Sequence, residues 1–174
     1  SVSCDDYVDD SNVRRFVVDA YTKSGKEGVI LGSGRRWVEE IIWSTPVSID
    51  HIFSAFHEPA VPRGRHVTDS FNANPEQRDA FWRMLLASGE RVRAFFVGPT
   101  HSYSRMRGRD PEGAAANDLS ALPDDAGGIY QVDAGATGHG ETNTFVRVQV
   151  DGKRVSFRAY EAANGPDRPF VECD

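Results

Sequence analysis

The sequence predicts an α/β fold in which three parallel strands alternate with crossover helices and an antiparallel meander follows. Three observations carry this. Residues 13–20, His51–Phe56 and Val92–Val97 are short, mostly apolar runs, the signature of strands buried in a parallel sheet. Two stretches with helical spacing lie between them, and strand–helix alternation implies parallel pairing with right-handed crossovers. After Gly127 the pattern changes to alternation in Ile129–Ala134 and in residues 144–150 and 154–160, with Asp151-Gly152 as a hairpin signal between the last two.

Residues 1–12 form an acidic segment in which Asp5, Asp6, Asp9 and Asp10 crowd around Tyr7. The spacing and central glycine of a calcium loop are absent, so this segment is expected to be a solvated tail. The domain proper is expected over residues 13–160. Its first strand ends in Asp19, and a glycine-bearing loop follows. Residues 35–44 read as a helix, with Trp37, Ile41 and Ile42 on one face and Glu39 and Glu40 on another, ended by Pro46. The strand His51–Phe56 stops at His57-Glu58-Pro59, and a loop carrying Arg63, Arg65 and His66 follows. Pro75 opens a second helix with Glu76 suited to its dipole; Phe81, Met84 and Leu85, with Trp82 beside them, form its apolar face, and Gly89 closes it.

Val92–Val97 is the central strand, stopped by Gly98-Pro99. Residues 108–127, rich in Gly, Ala, Asp and Pro, are expected to form a mobile surface loop. Residues 135–140 read as a glycine turn in which His139 is incidental, because the lysine and following helix of a phosphate-cradling loop are missing. Residues 161–174 read as a polar tail.

The chain has 174 residues, one domain's worth, with 39% hydrophobic and 26% charged residues. A net charge of −6 speaks against nucleic acid or an anionic membrane as the main partner. No apolar run approaches the ~20 residues of a membrane-spanning helix. Cys4 and Cys173 stand at opposite ends of the chain, and either a disulfide joining the termini or two free thiols fits that placement.

In open α/β sheets, ligands and catalytic groups gather at the carboxyl ends of strands. Two strands here deliver a histidine to that position: His57 after His51–Phe56, and His101 after Val92–Val97. Imidazole is the commonest metal-ligand side chain, and one from each of two neighbouring strands can converge on a single site.

Four segments together resemble the second half of the calcineurin-like metallophosphoesterases, the superfamily that includes the purple acid phosphatases. Phe16-Val17-Val18-Asp19 resembles the strand that opens this half. Phe56-His57-Glu58-Pro59 is similar to the family's His-x-Pro turn. The stretch from Gly98 to Arg105, Gly-Pro-Thr-His-Ser-Tyr-Ser-Arg, resembles the Gly-His-x-His-x-Tyr-x-Arg motif. The run from Gly127 to Gly138 resembles the strand and glycine turn that follow. The resemblance implies half of an α/β/β/α sandwich and a metal-dependent phosphoester hydrolase. Its cofactors would be two divalent ions (Fe, Mn or Zn), and its substrate a small phosphoester or a phosphoprotein. It makes His57 and His101 metal ligands, and it turns Arg105 and His66, with Arg63 and Arg65, toward the phosphoryl oxygens.

Two departures stand beside it. Pro99 occupies the position of a family metal-binding histidine and has no side-chain donor. The family's first-half motifs, Asp-x-His, Gly-Asp-x-x-Asp and Gly-Asn-His, are missing. A hydrolase completed by a missing half, or by a second chain covering the sheet, is one expectation. A non-catalytic binding or interaction module of the same fold is the alternative, and a small α/β domain that binds a partner through an exposed sheet face is a third.

Overall fold

The computed structural model describes residues 6–9, 12–18, 32–61, 70–98, 100–108, 128–136, 143–162 and 170–173. Cys4, Asp19, Arg63, Arg65, His66, Pro99, His139 and the loop over residues 109–127 lie outside the described residues.

The described elements are β1 (Asp6–Asp9), β2 (Val13–Val18), α1 (Gly32–Ser44), β3 (His51–Phe56), α2 (Pro75–Ala87), β4 (Val92–Val97), β5 (Tyr103–Gly108), β6 (Ile129–Ala134), β7 (Thr144–Asp151), β8 (Arg154–Ala162) and β9 (Phe170–Glu172). They form two sheets. The larger has the order β1-β2-β3-β4-β6-β5, and the smaller is β7-β8-β9. In the larger sheet β2, β3, β4 and β6 run parallel, while β1 and β5 pair antiparallel at its two edges. The architecture is mixed α/β, a parallel sheet combined with an antiparallel one.

Both helices pack on one face of the large sheet. Val38, Ile41 and Ile42 of α1 and Phe81, Trp82 and Leu85 of α2 share one core with Phe16, Ile52, Phe56, Phe95 and Ile129. Pro75 sits in the first turn of α2, where its missing N–H costs nothing, and Glu76 follows it. Phe95 of β4 meets the Trp82 ring edge-on at 4.6 Å and the Phe56 ring at 5.6 Å. Gly108 lies so close to Trp82 that a Cβ there would overlap the indole. Small size, not backbone freedom, fixes glycine at that position.

The opposite face carries the β7–β8 hairpin. Val13, Phe53 and Ala94 are buried there against Phe96, Tyr130, Val148, Val150, Val155 and Phe157. A polar bond also holds the hairpin. His51, fully buried at the start of β3, lies 2.7 Å through Nε2 from the Gly152 carbonyl in the hairpin turn. Arg93 Nε donates to Nδ1 of the same ring at 3.1 Å. That donation leaves the ring proton on Nε2, from which it is donated to Gly152.

Four expectations change. The parallel sheet has a fourth strand, because Ile129–Ala134 pairs with β4 and does not open the meander. The small sheet takes its third strand from Phe170–Glu172, in the segment read as a tail. The acidic residues Asp6–Asp9 pair with β2. Tyr103–Gly108, at the end of the histidine–tyrosine–arginine stretch, is an edge strand, and its last residue, Gly108, was expected to open the surface loop. The sheet face expected to need outside cover carries a hairpin of its own chain, with a groove of about 610 Å³ remaining between β2, β3 and β7. Among the described residues, no helix is long and apolar enough to cross a membrane.

Candidate functional site at the strand ends

The carboxyl ends of β3, β4 and β6 lie side by side, since β4 pairs with both neighbours. β3 ends where Phe56 goes into the core and the chain turns through His57-Glu58-Pro59. His57 is exposed there, whereas Glu58 is buried. Directly after β4 comes Gly98, whose N–H donates to the His57 carbonyl at 3.3 Å and ties the two strand ends together. The turn after β3 is held from below by Gln131 of β6. Its side-chain amide accepts from Val61 N at 3.0 Å and donates to Val61 O at 2.9 Å. One buried side chain thereby satisfies both backbone groups of Val61, which fixes the path of residues 57–61.

His101 follows β4 with φ 59, in the left-handed region. For a residue with a Cβ this costs roughly 1–2 kcal/mol, and such strain concentrates at functional positions. Beside it lies Asp133 at the end of β6, almost completely buried. Thr100 Oγ donates to Asp133 Oδ2 at 2.5 Å and lies 3.3 Å from the Ser102 carbonyl. A hydroxyl has one proton, and the shorter, charge-assisted contact holds it. The Gly135 N–H donates to Asp133 Oδ1 at 3.1 Å. Gly135 adopts φ 82, and a Cβ there would overlap Thr144. Burial raises the Asp133 pKa above its ordinary value of 3.8, and the bonds from Thr100 and Gly135 and the charge of His101 pull it part of the way back.

His57 and His101 therefore follow the ends of two adjacent parallel strands, and Asp133 lies at the end of the next one. Arg105 is not at these strand ends. Exposed on β5, it lines a basic pocket with Arg93, Arg107, Lys153 and Arg154. His66, Arg63 and Arg65 lie outside the described residues. Cys173 is exposed. Sequence reasoning missed Asp133, although the signal was available: it ends a strand and precedes a glycine, the same placement that singled out the two histidines.

The donor set can be tested against the two-metal centre that the resemblance implies. Among the described residues, no group of three or more His, Cys, Asp or Glu side chains could hold a metal ion. Asp133 is already engaged by Thr100 and Gly135. The described residues thus do not fit a two-metal centre on their own, and no catalytic step is assigned through one. No protein-family model matches this chain, and no curated protein matches it.

Proposed function

We propose that this chain is one part of a metal-dependent phosphoester hydrolase of the metallophosphoesterase type. In this reading it contributes the strand-end rim with His57 and His101, and the remaining metal ligands come from a complementing half. One observation carries the reading: two imidazoles follow adjacent parallel strands at the same end of the sheet, one of them on strained backbone beside a buried carboxylate. When bound, the metal pair would supply a hydroxide at neutral pH and neutralise the phosphoryl oxygens. The chain's own part is to hold imidazoles at fixed strand ends, with Asp133 as the negative charge beside His101.

The test is complementation. The chain alone, supplied with manganese or zinc, is expected to leave p-nitrophenyl phosphate intact. Joined to a metallophosphoesterase amino-terminal half, it is expected to hydrolyse it. In the joined protein His101→Ala should bring activity to background, and Asp133→Asn should lower metal affinity roughly 10–100-fold. A joined protein that folds, binds two metals and stays inert would remove the hydrolase reading.

The small donor set favours a second reading, a module of the same fold that binds without catalysis. Pro99 in place of a histidine supports it. Calorimetry with zinc on the wild type and on Pro99→His separates the two. The binding module predicts no stoichiometric metal in the wild type, even when complemented, and a gain of binding in the variant.

A further inference from the structure

The outer edge of β7 overhangs the hairpin face of the large sheet. Val146, Val148 and Val150 of β7, with Val13 and Val17 of β2 and Phe53 of β3, line the groove of about 610 Å³. Arg15 also lines it and is already engaged in an interaction of its own. On the floor of the groove Val17 remains 47% exposed.

The bonds at the start of β7 fix which way its backbone groups point. The Asn143 carbonyl accepts from the Ala162 N–H at 2.8 Å on the β8 side, and the Thr144 N–H donates to the Ala136 carbonyl at 3.0 Å on the other side. In an antiparallel ladder one residue directs both its N–H and its C=O to the same neighbour, and the next residue directs them the opposite way. Val146, Val148 and Val150 therefore turn their backbone donors and acceptors away from β8, while their side chains face the groove. Among the described residues, β8 is the one strand paired with β7. An edge of eight residues without proline is a template for a further strand.

Charge says what that strand should carry. Arg147 of β7 and Arg158 of β8 stand directly opposite each other, and both are exposed. Like charges in that position destabilise a sheet. On the β9 side Glu172 answers Arg158 at 3.3 Å. A strand on the other side of β7 would place a residue next to Arg147 in the same way, and an acidic residue there would complete a matching pair. A second copy of the chain does not fit. β1 continues the floor beyond β2, so pairing β7 with its own copy would bring two such floors into one space. A single extended chain needs only the groove.

We infer that the β7 edge binds an extended peptide segment of a partner protein, added as an antiparallel strand. Alternate apolar residues of the peptide fill the groove, and an acidic residue on its outer side faces Arg147. None of His57, His101 and Asp133 lines the groove, and the inference does not rest on the hydrolase reading.

The experiment titrates the intact chain into a fluorescein-labelled peptide, Ser-Val-Thr-Val-Glu-Val-Ser, and reads fluorescence polarisation. Its three valines match Val150, Val148 and Val146, and its glutamate matches Arg147. The peptide should bind saturably. N-methylation of its central valine, whose N–H would face β7, should weaken binding roughly tenfold or more. N-methylation of its threonine, whose N–H would face away, should leave binding nearly unchanged. Arg147→Glu should weaken binding roughly twofold to fivefold, and a peptide with lysine in place of glutamate should recover it. Arg147 is exposed, so the fold should survive this change, which circular dichroism checks. Four results would each overturn the inference: no saturable binding by the wild type, equal effects of the two N-methylations, no preference of Arg147→Glu for the lysine peptide, or a dimer in sedimentation velocity that the peptide dissociates, which would assign the edge to a second copy. Hydrolase activity does not enter the readout, so failure here leaves the complementation test standing, and the reverse holds too.

Discussion

The two faces of the large sheet are covered by different means. On the helix face, Phe56, Phe71, Phe81, Trp82 and Phe95 interlock edge-on and stacked, with centroids 4.6–6.4 Å apart. That face is closed mainly by shape and apolar area, with Arg14 of β2 adding hydrogen bonds to the Ile41 carbonyl and to Thr45 at the end of α1. On the hairpin face, few residues are fully buried, the surrounding apolar side chains are half-buried, and a histidine-to-carbonyl bond holds the cover. The comparison separates two tasks. The helix face holds the fold together, while the loosely filled hairpin face leaves room for a groove and a basic pocket.

Truncation on the two faces should expose this contrast, most strongly on the helix face. Trp82→Ala should cost about 3–5 kcal/mol. Its indole N–H has no hydrogen-bond partner among the described residues, so packing accounts for the loss. Urea denaturation should show a lower midpoint with an unchanged slope, because the whole chain unfolds together. A shallower slope would mean that the helix face can open alone.

His51→Leu should cost less, about 1–3 kcal/mol, since the Gly152 carbonyl and the Arg93 Nε lose a partner. Its effect should be local. Amide exchange should quicken across β7 and β8 while α1 and α2 keep their protection. Uniform loss of protection would mean that the hairpin is integral to the main core. Phe157→Ala removes a half-buried ring and should cost about 1–2 kcal/mol, read from the same two measurements.

Asp133→Asn should have the smallest effect, visible mainly as pH dependence. Burial raises the folded-state pKa of Asp133, so its contribution to stability is fully present below 3.8 and is lost as pH rises through the raised value. Asparagine does not titrate. It can still accept from Gly135, and its amide can donate to Thr100 while that hydroxyl turns to Ser102. Melting temperatures measured from below pH 3.8 to neutrality should therefore shift in favour of the variant as pH rises. Parallel curves would show that the carboxyl is not destabilised by burial.

Much of the large sheet was legible in the sequence. β3 and β4 fall where their apolar runs lie, and Pro75 marks the start of α2. These elements bury both sides of a strand or one stripe of a helix, and composition records that directly. Less legible was pairing. Ile129–Ala134 alternates like a meander strand, yet it inserts between β4 and β5, a partnership set by residues distant in the chain. Tyr103–Gly108 escaped notice because an edge strand whose arginines line a pocket lacks an apolar run. The placement of His57 and His101 after β3 and β4 was legible from the strand ends, and Asp133 sits near the end of β6 by the same pattern, unnoticed. The basic pocket was not, because its cations come from three separate stretches that only the fold assembles.

The order of the elements has a consequence for how the protein is made. Both helices precede or flank β4, but the hairpin that covers the other side is encoded only from Thr144 onward. At roughly 5–20 residues per second, a ribosome takes several seconds to pass from Val97 to Ala162. Throughout that interval Phe53 and Phe96 of the emerging chain have no roof, so a nascent-chain chaperone has its best opportunity to engage there.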